Sequence, residues 1–457
     1  MNNILFTILG YDVYVIDMIE IILIFIALIQ LMRNRIASVI IIILLFFESF
    51  SFVGVNTSEF VIKHQYDDVG LLLLFLLVVV LTGRRVRAVD TSLRTIKRGV
   101  IMFFVFFLIS TAVDLIVNNV AIVSVIKVFR NWVCLGMLWF VKYLDTKEVE
   151  KVLKGIVVIS VVFSFLLSIE YLTETSFTGA RRITMGESAR ASVPWIHTLL
   201  AYTLLLSNYF TRKGLIKWTG VAIILTNMLL SASRSYFVTY VVVTIVILFI
   251  VDKKISFKKM FYMTLALLAV VVIFTTDNKL NKRFDDAQED VNSLNRENAT
   301  VEGNFSFRVL LLAERMQYIN TKTQYVVFGI GSVQESDLKQ KLFRIGLRKR
   351  RGRSGGVTQI DTGDIAWASL FLRFGYVGTA IYVFLVFVPA IWFYYRNIRS
   401  GPLSAFWIYL FVNLTMISIT YSYIASSLFW LVPIITMRFV LPDRPKLNNS
   451  LTTQKSL

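Results

Sequence analysis

The chain has 457 residues, of which 56% are hydrophobic, and its mean hydropathy is +0.68. Soluble globular domains hold about 45–50% apolar residues, so this composition excludes an ordinary soluble protein and predicts a polytopic membrane protein. The 48 Lys and Arg residues outnumber the 29 Asp and Glu residues, which gives a formal net charge of +19. Cytoplasmic loops of membrane proteins collect basic residues, so this charge does not indicate a nucleic-acid partner.

A membrane-spanning helix needs about 20 apolar residues. The apolar runs predict an all-α bundle of 12 or 13 transmembrane helices. The predicted spans are 13–32, 36–53, 69–82, 99–117, 120–141, 155–172, 193–210, 216–230, 236–251, 260–274, 365–395, 403–419 and 428–441. The chain is thereby divided into helices 1–10 with short loops (1–274), a large extracytoplasmic loop (275–364), helices 11–13 (365–441) and a cytoplasmic tail (442–457).

The orientation follows from the connector after the third predicted span, which is the richest in basic residues. It contains Arg84, Arg85, Arg87, Arg94, Lys97 and Arg98, with Asp90 as its only acid. If this connector is cytoplasmic, the N-terminus lies outside and every other short basic connector falls on the cytoplasmic side. The long polar loop 275–364 then lies on the outer face.

Neither a metal nor a cofactor is expected. His64 and His197 are far apart in the chain and do not form a metal-binding pattern. Gly329-Ile330-Gly331 is a lone glycine pair rather than a phosphate-binding loop. The inner connectors are too short for a nucleotide-binding domain, so ATP-driven transport is not expected. Cys134 is the single cysteine and can form no internal disulfide.

Arginines on the predicted outer face depart from the charge bias. A guanidinium group is always charged and presents a planar fork that suits phosphate oxygens. The outer-face arginines of interest are Arg181, Arg182 and Arg190 before span seven, Arg234 after span eight, and Arg308 and Arg315 in the long loop. We predict that several of them converge on one diphosphate. The basic run 339–353 is equally consistent with a segment that contacts anionic lipid headgroups.

Two of these arginines have a distinctive local setting. Arg234 lies in a turn of a few residues between two apolar runs, where an arginine is costly unless it faces the bundle interior or water and has a partner. Arg308 lies in an amphipathic pattern that continues to Met316, which predicts an interfacial helix inside the loop.

Carboxylates flank the point where the chain re-enters the membrane. Asp361 and Asp364 are each positioned to act as a general base toward a hydroxyl or to orient an arginine. The alternative is that Asp364 caps the helix beginning near Ile365.

Polar residues also occur inside the predicted spans: Glu48, Asp114, Lys127, Arg130, Glu170 and Asn227. Asp114 and Glu170 would form structural ion pairs with Lys127 or Arg130, or couple protons in a transporter.

Short motifs resemble those of one family. The segment Leu229-Leu230-Ser231-Ala232-Ser233-Arg234-Ser235 is similar to the Ser-Arg-Gly/Ser signature of bacterial O-antigen polymerases and O-antigen ligases. Two later features also resemble motifs of that family. They are Arg308 followed by Gly329-Ile330-Gly331, and the segment Phe374-Gly375-Tyr376-Val377-Gly378. The resemblance extends over roughly residues 175–395.

The resemblance implies an integral membrane glycosyltransferase, without a metal, at the outer face of the bacterial cytoplasmic (inner) membrane. Its substrate would be an undecaprenyl-diphosphate-linked oligosaccharide, and its partners membrane lipids and a chain-length regulator protein. Arg234 and Arg308 would bind or polarise the diphosphate, helped by Arg181, Arg182 or Arg190. Family ligases usually carry a histidine before the return helix, where this chain has Asp361 and Asp364, which favours a polymerase over a ligase. A flippase for the same lipid is the alternative from another class.

Overall fold

A computed structural model describes residues 4–8, 11–46, 66–117, 122–130, 132–173, 183–185, 188–190, 197–210, 214–231, 234–250, 304–331, 343, 347–349, 357–359, 365–425 and 427–444. Before the long loop the helices are Val15–Met32 (α1), Ser38–Phe46 (α2), Tyr66–Thr82 (α3), Arg94–Val117 (α4), Ile122–Arg130 (α5), Thr146–Thr173 (α6), Thr198–Leu206 (α7), Gly214–Leu230 (α8) and Arg234–Ile250 (α9). The loop contributes Asn304–Ile319 (α10) and Thr323–Phe328 (α11). After it come Ala366–Ile381 (α12), Val388–Asn397 (α13), Ala405–Thr415 (α14) and Leu431–Thr436 (α15).

Strands are confined to three antiparallel two-stranded hairpins in the described residues. They are Ile4–Ile8 (β1) with Tyr11–Tyr14 (β2), Ile183–Met185 (β3) with Ser188–Arg190 (β4), and Leu347–Lys349 (β5) with Val357–Gln359 (β6). Each strand has three to five residues, so the hairpins decorate the helical bundle and form no layer of their own.

The bundle has the surface of a membrane protein. Among the described residues, four helices are long and apolar enough to cross a bilayer: Thr91–Val113, Thr146–Thr173, Ala366–Asn397 and Pro402–Ile419. Shorter apolar helices are Ile22–Met32, Val69–Thr82, Gly214–Leu230 and Tyr236–Phe249. Large apolar side chains such as Phe25, Phe75 and Leu108 are well exposed, which is the expected face toward lipid. The protein is an all-α polytopic membrane protein, as its sequence predicts.

Two predicted spans are shorter than expected. The run 120–141 is broken after α5, and a 3-10 helix, Val133–Trp139, follows. The reason is tertiary: Trp132 is fully buried, with its ring centroid 5.0 Å from that of Phe103 and 5.4 Å from that of Phe374.

The run 193–210 is predicted as one span, but its described helix, α7, ends at Leu206. A left-handed residue, Asn208 (φ 59°), follows two positions later. The ammonium group of Lys217 donates to the Leu206 carbonyl at 3.0 Å and to Asn208 Oδ1 at 2.9 Å. The positive charge of Lys217 at the C-terminal end of α7 complements the dipole of that helix.

The predicted cytoplasmic connectors meet at one end of the bundle. Arg84 donates to Asn34 and forms a 2.7 Å ion pair with Glu148, so the connectors after α1 and α3 join the start of α6. Arg438 is buried after α15; its Nε donates to the Leu144 carbonyl at 2.7 Å, and its Nη2 pairs with Asp443. Four connectors that the charge bias assigns to one side thus lie together.

The opposite end holds the part of the long loop that the structure describes. Helices α10 and α11 both pack on α12. Gly329 (φ 71°) and Gly375 (φ 62°) meet where α12 kinks, and the Ile330 amide donates to the Leu372 carbonyl at 2.7 Å. A Cβ atom built on Gly375 would lie 2.6 Å from the carbonyl oxygens of Val326 and Val327. Only glycine fits, because both the left-handed backbone and the close approach exclude a side chain. We call this contact the glycine junction.

We expect Gly375→Ala to detach the loop helices from α12, because the added methyl group meets backbone atoms that have no room to yield. The variant should show faster proteolysis within the loop and a lower thermal unfolding midpoint. Gly136→Ala is the matched control, since a Cβ atom there meets nothing within 4 Å. Equal stability of the two variants would contradict the junction's role.

Candidate active site

Arg234 begins α9, directly after the turn that closes α8 at Leu230. The start of this helix is held in place by aromatic residues. The Tyr236 hydroxyl donates to the Tyr423 hydroxyl at 3.2 Å, and the Tyr236 ring centroid lies 4.9 Å from that of Tyr421. Arg234 thus begins α9 at the end of the bundle where Tyr421 and Tyr423 lie, and the turn predicted before it falls largely outside the described residues.

Arg308 lies on α10, which confirms the helix predicted inside the long loop. Its side chain is partly buried, and its Nε atom is buried without a hydrogen-bond partner within the described part of the chain. One turn later, Leu311 packs in a buried cluster with Ile365 and Ala368 at the start of α12. A buried guanidinium N–H without an acceptor is costly, so this position favours binding of a ligand that supplies an acceptor oxygen.

The two arginine-bearing helices are joined through Trp367. The indole packs against the Leu311 cluster on one side, and its Nε1 donates to Ser418 Oγ at 3.0 Å on the other. Ser418 belongs to a 3-10 turn, Ile417–Ile419, that contacts α9. The helix of Arg308 therefore packs on α12, and the helix of Arg234 contacts the turn to which Trp367 of α12 is hydrogen-bonded.

Arg315 has a different environment from Arg308. It is fully buried, pairs with Glu314 at 2.7 Å, and places its guanidinium carbon 4.2 Å from the centroid of the Phe343 ring. Next to it, Tyr318 stacks on Tyr325 with centroids 5.5 Å apart. Burial, with the neighbouring Tyr325, raises the pKa of Tyr318 to about 12, so its hydroxyl stays neutral at physiological pH. These contacts make Arg315 part of the packing of the loop; its predicted role in diphosphate binding stays a prediction.

The other predicted site residues are located only in part. Arg190 is the last residue of β4 and pairs in register with Ile183. Arg181, Arg182, Asp361 and Asp364 lie outside the described residues. The N-cap residue of α12 is Ile365, so the alternative in which Asp364 caps this helix is wrong. The catalytic and binding roles of all these residues stay predictions.

Among the polar residues predicted inside the spans, Glu170 is buried near the end of α6, and Asn227 is fully buried in α8. Both side-chain amide atoms of Asn227 have no hydrogen-bond partner among the described residues. The side chains of Asp114, Lys127 and Arg130, and the whole of Glu48, lie outside the description, so the predicted ion pairs stay a prediction. The described residues contain no group of three or more His, Cys, Asp or Glu side chains arranged to hold a metal ion.

Sequence reasoning missed the tyrosines beside Arg234. Tyr421 and Tyr423 follow the 3-10 turn Ile417–Ile419, and their rings stack with centroids 5.2 Å apart and planes 5° apart. The available signal was Tyr421-Ser422-Tyr423, a pair of tyrosines at the predicted outer turn between the last two spans. Nothing in that local sequence indicates that Tyr236, nearly 190 positions earlier, would complete the cluster.

The fold and the site together define a polytopic helical membrane protein whose long loop contributes two helices, α10 and α11, that pack on the kinked helix α12. Residues 219–383 match the sequence model of the family described as O-antigen ligase, so this part of the chain is similar to that family. The match runs from α8 through the glycine junction into the π-helical stretch Tyr382–Phe387, so it includes Arg234, Arg308 and Gly375. No curated protein matches the chain.

Two substitutions on α10 should separate a structural from a functional arginine. Arg315→Ala should destabilise the fold by roughly 3 kcal/mol, because it removes the ion pair with Glu314 and uncovers the ring of Phe343. Arg308→Ala should leave the thermal unfolding midpoint nearly unchanged, since no ion pair or hydrogen bond holds its Nε among the described residues. Thermal unfolding of the purified variants checks both. An Arg315→Ala protein as stable as wild type would contradict this assignment.

Proposed function

We propose that this protein polymerises undecaprenyl-diphosphate-linked oligosaccharide repeat units into a surface polysaccharide, of O-antigen or capsule type, at the outer face of the cytoplasmic membrane. The match of residues 219–383 to the O-antigen ligase family model supports a role in surface-polysaccharide biosynthesis. The observation that carries the proposal further is the Nε of Arg308, which is buried without a hydrogen-bond partner among the described residues, on a helix that packs on α12. A negatively charged diphosphate oxygen would accept a hydrogen bond from this positively charged guanidinium group.

In the proposed reaction, the oxygen of an acceptor hydroxyl bonds to the anomeric carbon of the donor glycan. The bond from that carbon to the diphosphate oxygen breaks, and undecaprenyl diphosphate leaves with the electron pair. Negative charge grows on the leaving oxygen, and guanidinium groups fixed beside it stabilise that charge without having to reorganise. Arg234 and Arg308 have this role in the proposal, with Arg181, Arg182 or Arg190 as additional phosphate ligands.

The hydroxyl proton needs an acceptor as the new bond forms. We assign it to Asp361 or Asp364, which precede Ile365, the N-cap residue of α12. Ile365 itself packs in a cluster with Leu311, three positions after Arg308, and the assignment of the two carboxylates rests on their place in the sequence. Proton removal by a positioned carboxylate contributes about 10²–10⁴-fold to such reactions. Holding donor and acceptor in line supplies much of the remaining acceleration.

The second candidate is a ligase, which would transfer finished glycan to a different acceptor. The description of the matching family favours it, because that description is O-antigen ligase. Both activities use the same donor and the same leaving group, so the arginine site serves either. We prefer the polymerase because this chain carries carboxylates, Asp361 and Asp364, where ligases of the family usually have a histidine. A chain-length regulator protein is a further proposed partner.

Replacing either arginine should abolish glycan transfer without unfolding the protein. We expect Arg234→Ala and Arg308→Ala each to slow transfer by about 100-fold or more, as when one donor to a developing oxyanion is removed. The measurement is the length distribution of surface polysaccharide in a deletion strain that expresses each variant at wild-type level. Arg396→Ala is the matched control, since Arg396 is an exposed arginine in the last turn of α13. Full-length polymer in the double variant would overturn the proposal.

The lipid-linked intermediates of the deletion strain distinguish the two activities. Loss of a polymerase leaves single repeat units on the lipid carrier, whereas loss of a ligase leaves long polymer on the carrier without an acceptor. A flippase would be indicated instead if a variant that lacks most of residues 275–364 still translocated the lipid-linked glycan. We expect single repeat units to accumulate.

A further inference from the structure

The tyrosine pair Tyr421 and Tyr423 is only partly buried, although the residues around it are well packed. The two rings are nearly parallel, and Tyr236 packs beneath them with 5% of its surface exposed. Tyr236 in turn packs on Tyr240 with ring centroids 6.4 Å apart, and Tyr240 on Tyr202 at 4.7 Å. The exposed pair is thus the outer end of a continuous row of tyrosines that fixes its position.

The tyrosine pair differs from an ordinary interfacial belt of aromatic residues. Belt residues point toward lipid headgroups from the outside of a bundle. Tyr421 instead packs on Tyr236, and Tyr423 accepts a hydrogen bond from the hydroxyl of the same residue, whose ring is buried inside the bundle. The exposed apolar side chain of this turn, of the kind that faces lipid, is that of Ile419, which is 50% exposed. The pair therefore faces the inner side of the turn.

The position of the pair relates it to the proposed diphosphate site. Tyr236 lies two residues after Arg234 on α9. The 3-10 turn that precedes Tyr421 holds Ser418, which accepts a hydrogen bond from Trp367 in the cluster around Leu311. The tyrosine pair thus lies between the start of α9, which carries Arg234, and the turn that is hydrogen-bonded to the cluster on which α10 packs.

We propose that Tyr421 and Tyr423 form a platform that binds a sugar ring of the lipid-linked glycan. The axial C–H groups of a pyranose ring stack on the face of an aromatic ring, while its hydroxyl groups stay hydrated. Tyrosine suits this contact because it has a flat apolar body, a polar tip and few rotatable bonds. The platform rests on the proposed function, and it adds to it the residues that recognise the glycan rather than the diphosphate.

The test compares two lipids that share the diphosphate and differ in the sugar. Purified full-length protein in lipid nanodiscs is titrated with lipid-linked oligosaccharide extracted from the deletion strain, and separately with undecaprenyl diphosphate. We expect Tyr421→Ala to weaken binding of the glycan-bearing lipid by about fivefold to tenfold, the value of one aromatic contact. Its affinity for undecaprenyl diphosphate should equal that of wild type.

Three further variants make the test specific. Tyr421→Phe keeps the ring and should restore glycan binding, whereas Tyr421→Leu keeps apolar volume without the ring and should behave like Tyr421→Ala. The leucine variant decides the question if the alanine variant does not fold. Ile419→Ala, in the same turn, should bind both lipids as wild type does. Surface polysaccharide from the Tyr421→Leu strain should be shorter than that of wild type.

The platform is refuted if Tyr421→Leu binds the glycan-bearing lipid as tightly as wild type, or if it loses both lipids equally. The proposed function fails in a different way: Arg234→Ala and Arg308→Ala would then bind undecaprenyl diphosphate with wild-type affinity. Loss of glycan binding alone in the Tyr421 variants, with loss of both lipids in the arginine variants, supports the two proposals together.

Discussion

The loop-bearing end of this protein depends on the contact between Gly329 and Gly375. Both residues have positive φ angles, and each lies so close to the other's backbone that a side chain is excluded. Because α11 ends at this contact, it determines where α10 can lie, and α10 carries Arg308. Gly378, one turn further on, lies under the ring of Phe106, which stacks on Phe328. The two glycines of the return-helix motif thus place the loop against two faces of the bundle.

The kink in α12 has a second consequence for the arrangement of the site. A continuous helix from Ala366 to Asn397 would carry its first turns away from the loop, whereas the break at Gly375 lets the first segment lie under α10. Next to the kink, the rings of Phe103 and Trp132 pack on Phe374. Phe103 also packs on Tyr382, the first residue of the π-helical stretch that follows α12. Tight packing on both sides of the break converts a flexible backbone position into a rigid one.

The cost of a charged group explains how the two ends of the bundle differ. At the basic end, arginines have protein partners: Arg84 pairs with Glu148, and Arg438 is satisfied by two carbonyl groups and Asp443. At the loop end, Arg315 has an ion pair and an aromatic face, whereas the Nε of Arg308 has no partner within the described residues. Arg308 and Arg315 thus lie on the same helix, but only Arg315 has an ion pair and an aromatic contact among the described residues.

The sequence by itself determined the membrane class and the helix around Arg308, and it predicted the sidedness of the short connectors and the turn at Arg234, because apolar length, charge bias and amphipathic period are local properties. It also supplied the family motifs. Only the tertiary structure decided that α5 stops before the buried Trp132, that Gly329 meets Gly375, that Arg315 is buried on Phe343, and that Tyr421 and Tyr423 join Tyr236 beside Arg234. Each of these contacts unites residues that are distant in the chain, and no periodicity or composition within either segment specifies its partner.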